Sequence, residues 1–280
     1  MSAISLIDAL AHAAPWSGEL PAPLGLACLA GLYGLGLARL WRRAGIGRGV
    51  RRWQVGCFVA ALATLVASLL SPIATLSEEL LWVHMIQHLL LMLVAAPLLM
   101  AASPGLVVAW ALPRRWRVRL ARLWVSARRR APGGLAWHPV VAWLAFALVL
   151  WIWHLPLLYQ AALEHPRVHD LQHLAFFGAA CLYWRAIFEP IGRARLGPVA
   201  LVAYVFTTSL HGMLLGVLVA LSPRLWYPIY EQTTANWGLA ALEDQQLAGF
   251  IMWMPACGVY AIIAVGALVV WLHRAQRDAG

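Results

Sequence analysis

Seven stretches of about 20 apolar residues, separated by short polar segments, confine this chain to a bundle of helices that cross a membrane. Hydrocarbon offers no water to backbone N–H and C=O groups, so a segment that crosses it closes its own hydrogen bonds as a helix. The stretches lie near residues 22–41, 53–71, 80–101, 138–160, 170–189, 198–221 and 247–272. Arginine marks alternate connections: six residues from Arg39 to Arg52, eight from Arg114 to Arg130, then Arg185, Arg193 and Arg195, and finally Arg274 and Arg277. The remaining connections hold only Arg167 and Arg224, beside Glu78, Glu79, Glu164, Asp170, Glu231, Glu243 and Asp244. Short basic loops stay cytoplasmic, so the N-terminus is expected outside and the C-terminus in the cytoplasm. The expected fold class is an all-α membrane protein, a seven-transmembrane-helix bundle forming one polytopic domain over residues 1–280.

A net charge of +10 in a soluble chain would point to nucleic acid, but 62% hydrophobic and 11% charged residues exclude that class. The charge reports topology and attraction to membrane lipids, with no nucleic-acid partner. All 21 basic residues are Arg, and without a Lys there is no retinal Schiff base. Cys28, Cys57, Cys181 and Cys257 are scattered singly, as small core residues rather than disulfides or a Cys-x-Cys copper clamp. The first 20 residues lack the basic start of a cleavable signal peptide, and Ile4, Leu6, Ile7 and Leu10 are expected on the outer interface. Trp116, Leu120, Leu123, Trp124 and Ala127 recur at helical spacing among arginines, which reads as an amphipathic helix on the inner leaflet or as a solvated basic loop. Segment 222–246 carries Trp226, Tyr227, Tyr230 and Trp237, and reads as a lid or as an aromatic belt.

Histidine carries the chemistry. Five histidines (His84, His88, His154, His173, His211) lie inside the apolar stretches, and His169 stands at the edge of one. An ionisable residue within a membrane is costly and marks a working site, and imidazole is a common transition-metal ligand. His84 and His88 are four residues apart, hence on one helix face and about 6 Å apart along the axis. His169 and His173 repeat that spacing, and His165 extends the stripe into the preceding loop. One pair alone reads as interfacial histidines wetted at the headgroups; two pairs entering from the same side favour a metal. His154 and His211 reach a similar depth, either as members of a shared site or as histidines hydrogen-bonded between helices. Pro156 is expected to kink the helix just after His154. Asp244 reads as a hydrogen-bond partner for a ligand imidazole or as a wet loop acid, and Met252 as a soft thioether ligand or as packing. Imidazoles with nearby Met and almost no inward carboxylate suit copper better than magnesium or calcium, with zinc still open. The first pair reads His-Met-Ile-Gln-His, so the Glu of a His-Glu-x-x-His hydrolase is missing.

Several of these segments together resemble the seven-span CtaG family of cytochrome c oxidase assembly factors. They are His84-Met85-Ile86-Gln87-His88 with Ala95-Ala96-Pro97-Leu98-Leu99, Trp153-His154-Leu155-Pro156-Leu157-Leu158-Tyr159, His169 to His173 with Phe176-Phe177, and Glu243-Asp244-Gln245-Gln246 through Met252-Trp253. The resemblance implies a non-enzymatic protein of the bacterial plasma membrane that matures a haem-copper oxidase, handling copper for its metal centres and meeting oxidase subunits and a periplasmic copper donor. A single-span copper chaperone shares the CtaG name, but its Cys-x-Cys motif is absent here. On this reading His84, His88, His169 and His173 capture copper from outside, and His154 or His211 carries it inward. The rivals are a b-type cytochrome with His154 and His211 as axial ligands, a seven-span zinc hydrolase, and a metal-free scaffold for the oxidase.

Overall fold

The computed structural model describes residues 21–130, 138–188 and 196–279. Ile4, Leu6, Ile7, Leu10, Arg193 and Arg195 lie outside the described residues, as do the side chains of Trp124 and Ala127. The described residues are helical with no strand among them. The helices are α1 Pro21–Ala44, α2 Arg52–Leu69, α3 Pro72–Glu79, α4 Leu81–Leu89, α5 Ala96–Ala101, α6 Pro104–Ala111, α7 Arg114–Arg130, α8 Pro139–Trp153, α9 Pro156–Glu164, α10 Pro166–Phe188, α11 Pro198–Leu221, α12 Glu231–Thr234 and α13 Ala241–Ala279.

Five helical segments are long and apolar enough to cross a membrane: Ala22–Ala44, Arg52–Leu69, Leu81–Ala101, Pro198–Leu221 and Ala241–His273. The count differs from seven continuous spans in two places. The fourth expected span is broken: α8 stops at Trp153 and α9 leaves at 74° to it. Pro156 has no N–H and clashes with the preceding turn, and the residue before a proline avoids the α conformation. Leu155 accordingly sits at φ −61°, ψ 130°. The fifth, α10, has 23 residues, but His169, Asp170, Gln172 and His173 dilute its apolar character.

Segment Leu81–Ala101 runs through the middle of the bundle, with 61% of its most apolar window buried against other helices, whereas only 6% of that of Ala241–His273 is covered. Large apolar side chains such as Leu157, Val199 and Ile262 point outward, as a lipid-facing surface requires. Between α4 and α5 the residues Leu90–Ala95 form a wider π turn. Pro97 lies five residues beyond Met92 and brings no N–H to the widened ladder, so the Met92 carbonyl is free to accept from Trp184 Nε1 at 2.7 Å. Helices α11 and α13 touch backbone to backbone: a Cβ on Gly249 would lie 2.4 Å from the Ala220 nitrogen and 2.6 Å from the Gly216 carbonyl oxygen. The amphipathic segment is helical as expected, with Trp116, Leu120 and Leu123 exposed on α7 and the Arg117 guanidinium 3.9 Å over the Trp110 ring. All four cysteines are free.

Candidate metal centre

The start of α4, the start of α10 and the broken end of α8 meet at one end of the bundle, and each delivers histidine there. One nitrogen from each of His84, His169 and His173 lies within 4.8 Å of the others, a separation that small ring rotations close onto an ion with bonds of about 2 Å. His84 is the hinge of the group: its ring centroid lies 4.3 Å from that of His88, 5.3 Å from His169 and 6.0 Å from His173. His84, His88 and His154 are almost wholly buried, at 0%, 2% and 2% exposure, while His169 and His173 are half-buried.

Carbonyl partners fix the protons on these rings. A carbonyl can only accept, so the 3.3 Å contact of His84 Nδ1 with Ser77 O places a proton on Nδ1 and a lone pair on Nε2. His88 Nε2, 2.9 Å away, then donates to His84 Nε2, which leaves a lone pair on His88 Nδ1. His154 Nδ1 donates to Leu150 O at 2.7 Å and keeps its lone pair on Nε2. His88 Nδ1, His154 Nε2, His169 Nε2 and His173 Nε2 are buried and have no hydrogen-bond partner among the described residues. Neutral imidazoles with free lone pairs are what a transition metal binds.

His154 joins this group, with its ring 6.2 Å from that of His88. His211 packs elsewhere: its ring is edge-on to Trp143 at 5.4 Å and to Phe146 at 6.3 Å. His165 is exposed at the corner between α9 and α10. Asp244 does not reach an imidazole; its carboxylate accepts the backbone N–H groups of Leu81 at 2.7 Å and Trp82 at 3.2 Å. It thus caps the helix that carries His84 and His88, satisfying donors that begin a helix without intrahelical partners. Met252 is buried beside His88 and His154.

Segment 222–246 packs down over the site. Tyr230 donates to Ser77 O at 3.1 Å and lies 3.4 Å from His84 Nδ1, and Tyr227 donates to the His154 carbonyl at 2.8 Å. Burial raises both phenols, which keeps them protonated donors. Thr233 bonds the Glu79 carbonyl and Trp237 the Glu79 carboxylate, pinning the segment to α3. A cavity of about 220 Å³ leads to His169 and His173 past Glu78, Glu164 and Asp170. Burial, and then the neighbouring Glu79, raise the Glu78 carboxyl above its ordinary value.

Tyr159 and the two glutamines of the site are missing from the candidate site residues read from sequence, and Tyr230 figures there only as part of a lid or aromatic belt. The signal for the glutamines is present: His84-Met85-Ile86-Gln87-His88 and His169-Asp170-Leu171-Gln172-His173 both read His-x-x-Gln-His. Gln87 and Gln172 are fully buried, at 1% and 0% exposure. Gln87, at the wall of the 220 Å³ cavity, donates to Ser68 O at 2.7 Å, and its other amide atom, Oε1, has no partner among the described residues.

The family model described as cytochrome c oxidase caa3 assembly factor (Caa3_CtaG) matches residues 31–274. No curated protein and no solved structure matches the chain.

Proposed function

Because the chain belongs to the cytochrome c oxidase caa3 assembly factors, we propose that its buried histidines take up copper and pass it to a haem-copper oxidase in the bacterial plasma membrane. The observation that carries this reading is the convergence of four imidazoles from two helices, His84, His88, His169 and His173, with nitrogens of His84, His169 and His173 within 4.8 Å of one another. Copper is cargo here, so the site must load and also release it, and half-buried imidazoles open to a cavity permit both. The ion enters past Glu78, Glu164 and Asp170 from the periplasmic face, the side assigned by the low arginine content of those connections, and the protein spans the membrane with its C-terminus inside. An oxidase subunit receives the ion and a periplasmic protein supplies it. The family role is assembly, and no catalytic step is assigned to the chain.

The test is copper content of the detergent-purified protein beside the double variant His88→Ala/His173→Ala. Near-stoichiometric copper in the wild type and its loss in a variant that elutes as folded protein are expected; equal copper in both sinks the assignment. A zinc hydrolase is the second reading, favoured by the three-imidazole geometry typical of catalytic zinc sites and by Asp170 at the cavity wall. Zinc in place of copper, with zinc-dependent turnover of a lipid amide or ester, is the result that selects it. The cytochrome reading loses support from the packing, since His211 faces Trp143 and the cavity beside His154 is only about 40 Å³.

A further inference from the structure

His88 lines a second and apolar cavity of about 40 Å³, which shares no lining residue with the polar one. Its wall includes His88, His154, Met85, Met92 and Met252, all at most 8% exposed. The two histidines are the informative members. His88 gives its Nε2 proton to His84, and His154 gives its Nδ1 proton to Leu150 O, so His88 Nδ1 and His154 Nε2 both hold lone pairs. Neither nitrogen has a partner among the described residues, and both side chains line the same small space. Two buried acceptors without a donor, on rings 6.2 Å apart, suit a group held by both, a single water or a metal ion. The remaining wall decides between them. Besides the Thr208 hydroxyl, whose proton goes to Tyr204 O, and Tyr260, it offers thioethers and hydrocarbon, which suit a soft monovalent ion better than a water that needs several polar partners.

We propose that this cavity is a second metal site, selective for Cu(I), in which His88 Nδ1 and His154 Nε2 bind the ion and a thioether of Met85, Met92 or Met252 completes its coordination. The proposal rests on the copper reading above and deepens it by naming the oxidation state and the inner site. His84, His169 and His173 form the entry site, which presents nitrogen donors beside carboxylates and takes monovalent and divalent ions alike. The inner site has no carboxylate in its lining and disfavours divalent ions. His88 stands between the two: its Nε2–H is bonded to the entry site's His84, and its Nδ1 keeps the lone pair assigned to the inner site. No redox step is involved, because the ion arrives and is held as Cu(I).

The experiment uses the full chain in detergent, with Ag(I) as a redox-inert stand-in for Cu(I) and with Zn(II) as the divalent control. The entry-site variant His169→Ala/His173→Ala is expected to retain one Ag(I) per chain with sulfur among its neighbours by X-ray absorption, and to lose Zn(II). Adding His154→Ala removes the Ag(I). A volume-conserving triple change of Met85, Met92 and Met252 to Leu, on the wild-type background, keeps the fold and loses the sulfur signal. If the wild type binds Ag(I) or copper but the entry-site variant holds none, or if the bound ion shows no sulfur neighbour, the inner site is overturned and the entry-site reading stands. If the wild type takes up neither Ag(I) nor copper, both readings fall.

Discussion

The two His-x-x-Gln-His segments are the same motif set in opposite surroundings. On α4 the motif lies in the most buried span, its histidines almost wholly covered, its glutamine bonded to Ser68 and its helix start capped by Asp244. On α10 it lies at the mouth, its histidines half-buried beside Asp170 and its glutamine without a hydrogen-bond partner among the described residues. Identical spacing therefore produces two kinds of ligand. The α4 pair is held in place by a network prepared before any ion arrives, and the α10 pair is free to follow an ion in and out.

The largest effect expected from this contrast is in the histidines themselves. His84→Ala is expected to weaken Zn(II) binding at the entry site by at least about 100-fold and His169→Ala by about tenfold, because only His84 is oriented by outer partners, Ser77 and Tyr230. Competition against a chromophoric Zn(II) chelator measures both, and equal losses would erase the distinction between the pairs.

The glutamines sharpen it next. Gln87→Leu breaks a buried bond and leaves the Ser68 carbonyl unpaired, an expected cost of about 1–3 kcal/mol. Gln172→Leu replaces an amide whose two polar atoms have no partner among the described residues, and is expected to be neutral or stabilising in the metal-free protein. Thermal unfolding of the two variants in detergent separates them, and a destabilised Gln172→Leu would show that the amide is paired through groups outside the described residues.

The smallest effect lies at the mouth. Glu78→Gln removes one of the carboxylates that draw a cation inward and is expected to slow copper loading by about two- to threefold at low salt, with the difference fading as salt is added. The sign with pH follows from the raised Glu78 carboxyl: its charge is lost on acidification at a higher pH than for an ordinary glutamate, so wild-type loading slows from that pH downward. The same raised value means that ionisation of Glu78 weakens the fold as pH rises through it, a dependence absent from the Gln variant. Stopped-flow loading across pH and salt tests the statements about rate, and thermal unfolding across pH tests the one about stability.

Much of the architecture could be read from sequence because membrane insertion is a local rule. Apolar length specifies a helix wherever it occurs, so the helices at Ala22–Ala44, Arg52–Leu69, Pro198–Leu221 and Ala241–His273 agree with the stretches expected there. The same rule fails at Pro156, where one backbone restriction turns a hydropathic span into two helices at 74°. It is also silent on function within a span. His154 and His211 look alike by depth and neighbours in sequence, yet only His154 lies by His88. Asp244 looks like a partner for imidazole, yet it bonds two backbone N–H groups 162 and 163 residues away in the chain.

By itself, then, the sequence determined the solvent this protein lives in, the helical form of its segments and the chemical type of its ligands, since hydropathy, proline and i, i+4 spacing act over one or two turns. The tertiary structure alone decided which imidazoles meet, which nitrogen of each ring carries the proton and which helix end Asp244 caps. Those depend on contacts between elements far apart in the chain, where a carbonyl or a carboxylate from one helix sets the hydrogen bonding of another.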